Sequence, residues 1–87
     1  MLDKIKLALR IKSDAFDDEI KDLVNACRID LHLAGVDRTR ESDPLICRAI
    51  ILYCKANFGY GDEKEKFHRS YQALRDSLSL AGDYKYD

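Results

Sequence analysis

The sequence has no C-x-x-C pair, no excess charge of either sign and no uninterrupted apolar run of membrane-spanning length. Each absence removes a class of function. With 15 basic and 16 acidic residues the net charge is −1, which lacks the overall basic field of a dedicated nucleic-acid binder. The richest apolar stretch is interrupted by Arg48 and Lys55 and is too short to cross a bilayer, so no membrane partner is expected. The opening MLDKIKLALRIK alternates charged and apolar residues and offers no signal-peptide core. Synthesis in a reducing cytoplasm is the expectation. The cysteines, Cys27, Cys47 and Cys54, are odd in number and stand at helical positions among apolar neighbours. They read as small buried hydrophobes. Neither His32 nor His68 has ligand spacing to them, so no metal is expected, and no cofactor.

What is present is an apolar fraction of 46% beside 36% charged residues, which argues for a folded domain over disorder. Eighty-seven residues make one domain, residues 1–87, with 82–87 expected as a flexible tail. A chain of this size buries only roughly 60% of its unfolded surface, so a lone core is marginal. No strand pattern, repeat or low-complexity segment competes with a helical periodicity that runs through most of the chain. The fold class is all-α: a compact four-helix domain with a central apolar third helix.

Leu2, Ile5, Ala8 and Leu9 define a first helix over 2–9, with Ile11 returning to the core. Ser13, Asp14 and Asp17 then offer capping oxygens to a second helix from about Phe16 to Ala34, which Gly35 stops. Its inward stripe is Phe16, Ile20, Leu23, Val24, Cys27, Leu31 and Ala34. Asp43 and Pro44 form a cap and first turn for a third helix that ends at Phe58, before Gly59. The fourth begins near Asp62, turns Phe67, Tyr71, Leu74 and Leu78 inward, with Ala73 and Leu80 beside them, and ends at Gly82.

The third helix is apolar almost all round. Leu45, Ala49, Leu52, Tyr53 and Ala56 make one stripe, and Ile46, Ile50, Cys54 and Phe58 a second, extended by Cys47 and Ile51. Such a helix needs walls on several sides, and a chain with few other elements is expected to recruit a neighbouring copy. Ile29 and Leu33 lie off the main stripe of the second helix and form a smaller apolar strip. Ile29, Leu33, Cys47 and Ile51 are therefore the candidate contacts between subunits.

No catalytic residues are expected. The carboxylates Asp14, Asp17, Asp18, Glu19 and Asp22 crowd a helix start, where they complement the positive end of the helix dipole. Neither they nor His32 and His68 are joined by a nucleophile–base pairing or a phosphate-cradling glycine loop. An enzyme is thus not the reading. A small helical DNA-binding protein, a regulator or the small subunit of a packaging terminase, is the alternative. The third helix carries only Arg48, Lys55 and Asn57 as polar side chains, which is too apolar for reading a groove. An uncommitted helical interaction module is the remaining alternative.

Several segments in order carry a resemblance: L-x-x-I-K-x-A-L-R-I (Leu2 to Ile11), D-D-E-I (Asp17 to Ile20), A-G-V (Ala34 to Val36), D-P-L-I (Asp43 to Ile46), A-I-x-x-Y-x-K-A-N-F-G (Ala49 to Gly59) and S-Y-x-x-L-R-x-x-L (Ser70 to Leu78). Together they resemble the small head–tail connector, or adaptor, proteins of tailed bacteriophages and prophages. The likeness spans nearly the whole chain. It implies a structural virion protein, made in the bacterial host cytoplasm. It also implies a ring of about a dozen copies beneath the portal, head-to-tail in symmetric register. Such a ring extends the DNA channel and docks the next head-completion (stopper) or tail protein. The family pattern makes Asp37, Arg38, Thr39, Arg40, Glu41 and Ser42 channel-loop candidates, with DNA passing without sequence-specific binding. Leu80, Tyr84 and Tyr86 become candidates for contact with the portal.

Overall fold

The structure, a computed structural model, describes residues 1–36, 43–58, 62–82 and 84. Four helices follow in order: α1 (Leu2–Leu9), α2 (Asp17–Leu33), α3 (Pro44–Phe58) and α4 (Lys64–Leu80), with one 3₁₀ turn at Asp14–Phe16. Among the described residues there is no strand, and the fold is all-α.

The helix ends show why the chain turns where it does. α1 closes on Arg10, whose φ of 60° is left-handed. There the Arg10 N–H reaches the Leu7 carbonyl (3.1 Å) and the Ile11 N–H reaches that of Lys6 (2.9 Å). This pair of bonds returns Ile11 to the core. α2 ends the same way with the expected residue. Gly35 takes φ 97°, its N–H bonds to the His32 carbonyl, and the Val36 N–H bonds to that of Leu31. Leu31 and Val36 are both fully buried, so the stop also closes an apolar contact. At the start of α3 Asp43 Oδ1 accepts the N–H groups of Leu45 (2.9 Å) and Ile46 (3.4 Å), as an N-cap should. Pro44 occupies the first turn, where a missing N–H is harmless.

Two boundaries differ from expectation. Phe16 belongs to the 3₁₀ turn, because Ser13 Oγ captures the Ala15 N–H and tightens the chain before α2 starts at Asp17. Its ring remains 39% exposed and meets Phe58 edge-on, centroids 5.3 Å apart. Asp62 and Glu63 form a turn, and α4 starts at Lys64.

α3 is the centre, packed against α1, α2 and α4. Its side chains Ile46, Ala49, Ile50, Leu52, Cys54 and Ala56 are all buried. Ile51, Tyr53 and Phe58 are half-buried against the same core. The expectation that α3 has more apolar perimeter than its own subunit covers is therefore corrected. Three helices of one chain wall it in, and Leu45, 46% exposed at its first turn, is the chief residue left open. Cys47 and Ile51, expected to meet a neighbour, are only half-exposed. Among the described residues the other open large apolar side chains are elsewhere: Leu7 on α1, Phe16 in the turn before α2, Ile29 and Leu33 on α2, Leu80 on α4.

Candidate interaction surface

α2 packs on α3 and reaches α4 and α1 from its two flanks, and its polar residues show which flank meets which. Asp30 faces α4. Its Oδ2 accepts the Tyr71 hydroxyl at 2.5 Å and Arg75 Nη1 at 3.1 Å. The Cys27 thiol donates to the same Tyr71 oxygen at 3.8 Å, and Tyr53 meets the Tyr71 ring edge-on, centroids 5.1 Å apart. Tyr71 is 3% exposed, and burial first, then the bond given to Asp30, pushes its hydroxyl well above the ordinary value. It stays a neutral donor. Because the Asp30 and Arg75 side chains are partly solvated, this clamp carries a modest energy. Tyr71→Phe is expected to cost about 1–2 kcal/mol, read from the urea midpoint.

The opposite flank of α2 faces α1. Lys6 Nζ bridges Asp14 Oδ1 (2.8 Å) and Asp17 Oδ1 (2.9 Å), tying α1 to the turn that starts α2. The acidic crowd at this helix start thus includes two carboxylates neutralised by a cation eight and eleven residues earlier. The bond to Lys6 holds the Asp14 carboxyl below its usual range.

Between these flanks the outer surface of α2 carries Ile29, 61% exposed, and Leu33, 79% exposed, one turn apart. Of the four residues expected to contact another subunit, these two are open to solvent. His32 is exposed beside them, and His68 is half-buried on α4.

The start of α3 carries a second feature. The Tyr84 hydroxyl donates to Asp43 Oδ2 at 2.7 Å while Oδ1 caps α3, so one carboxylate joins the tail to a helix start. Tyr84 also packs on the core, whereas Leu80 one turn earlier is 80% exposed. The channel-loop candidates Asp37, Arg38, Thr39, Arg40, Glu41 and Ser42, and the portal candidate Tyr86, lie outside the described residues.

The Tyr84 bond, then the backbone N–H groups, outweigh desolvation and lower the Asp43 carboxyl below its ordinary range. A carboxylate that titrates lower when folded stabilises fully above the unfolded value, 3.8 for Asp, and loses that contribution as pH falls through the folded one. Asp43→Asn, which keeps an Oδ1 acceptor but loses the charge, is therefore expected to lower the melting temperature at neutral pH. It should also flatten the acid side of the stability curve, with thermal melts between about pH 6 and pH 2 as the measurement. An unchanged acid limb would remove Asp43 from the account.

The thiols divide by burial. Cys27 and Cys54 are fully buried and desolvation pushes each up to about 12, so neither forms thiolate near neutral pH. Cys47 is half-exposed. In a native titration with an aromatic disulfide reagent Cys47 is expected to react rapidly. Cys27 and Cys54 should react only on the timescale of unfolding. Among the described residues no group of three His, Cys, Asp or Glu side chains could hold a metal ion, and no helix is long and apolar enough to cross a membrane.

A protein-family model described as phage connector protein matches residues 1–85. No curated protein and no solved structure matches the chain significantly.

Proposed function

The chain belongs to the phage connector protein family, and from that premise we propose that it is a head–tail connector, a ring of copies beneath the portal that extends the DNA channel. The family is structural, and the coarse role follows from it: a structural phage protein and virion component working within the head–tail assembly. The ring, its portal contact and its docking of the next head-completion or tail protein are the finer proposal.

The observation that carries it is the pair Ile29 and Leu33, open on the outer surface of a domain whose central helix is already enclosed. Since α3 needs no neighbour to complete it, the subunit can fold first and assemble afterwards. A modest apolar strip suits that order, because a larger one would drive aggregation before the portal is met. The strip on α2 meets a different surface of the next copy, as cyclic head-to-tail assembly requires.

The segment Asp37–Ser42 is proposed to line the channel, where Arg38 and Arg40, offset by Asp37 and Glu41, would touch phosphate weakly and let the genome slide. Leu80, Tyr84 and Tyr86 are proposed to contact the portal. Measuring mass in solution with and without the cognate portal tests the proposal. A portal-bound multimer of the chain is expected. A chain that stays single and unbound at every portal concentration would overturn it.

A further inference from the structure

We propose that the groove between the start of α1 and the middle of α2 is the receptor for the Ile29–Leu33 ridge of a second copy of this chain. This deepens the ring reading and rests on it.

The groove has a volume of about 410 Å³, with Met1, Leu2 and Val24 as its apolar lining and Lys21, Asn25 and Arg28 as its polar one. Among the described residues its lining contains cations and no carboxylate. At about 100° per residue, Arg28 on the groove side and Asp30 on the α4 side fall on opposite flanks of α2. Ile29 lies between them, on the outer surface, and Leu33 lies one turn further along the same face. One flank of the helix is thus hollow and the adjoining surface is raised. One subunit thus offers both a ridge and a receptor, the two halves that a head-to-tail contact joins between successive copies.

Charge commits the groove to this occupant. Asp18 and Asp22 are exposed on the surface that carries Ile29, toward the start of α2. The ridge therefore presents two aliphatic side chains preceded by two carboxylates. The groove presents an apolar lining beside Lys21 and Arg28. When a second copy lays its ridge there with its α2 roughly parallel, Ile29 and Leu33 cover Met1, Leu2 and Val24. Asp22 then approaches Lys21.

The test uses the full chain in a Cys47→Ser background, mixed with the cognate portal. Asn25→Cys places a thiol in the groove and Leu33→Cys one on the ridge. Under mild oxidation the two variants together are expected to give several-fold more disulfide-linked dimer than either alone. Separately, Lys21→Glu is expected to weaken assembly several-fold, and adding Asp22→Lys is expected to restore it, with circular dichroism confirming the fold of each variant. Wild-type assembly on the portal with no excess of mixed dimer and no charge-swap rescue would overturn the groove contact while leaving the ring intact. Absence of any wild-type assembly would instead overturn the ring reading, and this contact with it.

Discussion

Ile50→Ala is expected to destabilise the domain by about 2–5 kcal/mol. Ile50 is fully buried at the middle of α3, which packs against the other three helices. Removing its outer methyl groups leaves a cavity that no single helix can fill by shifting, because each is held by another contact. α4 is tied to α2 through Asp30, Tyr71 and Arg75, and α1 to the start of α2 through Lys6. Small domains have a total stability of about 5–15 kcal/mol, so the loss should move a urea midpoint far enough to read without ambiguity. Leu80→Ala, at a side chain that is 80% exposed, should shift the same midpoint by less than about 0.5 kcal/mol. Equal effects at the two sites would contradict the enclosure of α3.

The second large effect concerns assembly. The double variant Ile29→Lys with Leu33→Lys is expected to abolish portal-bound multimers while leaving the monomer folded. Both side chains are mostly solvated, so the free subunit gives up little burial. Lysines in the last turns of α2 also suit the negative end of its dipole. In an assembled contact the same lysines would face Lys21 and Arg28 and would desolvate two ammonium groups without partners. Stability within about 1 kcal/mol of wild type, together with loss of the multimer by light scattering, is the expected pair of results. Intact multimers would remove α2 from the subunit contact.

Much of this architecture is legible in the chain because local signals agree with one another. α1 and α3 fall on the residues their periodicity marks, 2–9 and 44–58, and Asp43, Pro44 and Gly35 act as the cap, first turn and stop that their chemistry dictates. Where reading failed, the deciding interaction was non-local or unusual. Arg10 adopts a left-handed conformation that favours glycine, which nothing in its neighbourhood announces. Asp30 looks like any solvated acid beside an apolar stripe; its partners stand 41 and 45 residues away. The usable signal was its place on the edge of the stripe between Cys27 and Leu31, where a buried flank begins.

The apolar perimeter of α3 misled for a physical reason. Hydrophobicity all round a helix states that it must be covered, not by which chain. Here α1, only eight residues long, supplies the third wall. Open apolar surface lies instead mainly on α1, α2 and α4, and on α2 two side chains off the main stripe were the faint signal. The same reading shows Tyr84 engaged with Asp43 rather than free, so the tail is anchored where it leaves α4.

Amide hydrogen exchange, compared between the free chain and the portal-bound assembly, tests the division of labour most directly. Exchange in α3 should be slow in both states, since its core face is closed before any copy is met. New protection should appear across 21–33 of α2 and at the start of α1. Strong new protection concentrated in α3, with α2 unchanged, would show that the central helix waits for a neighbour after all.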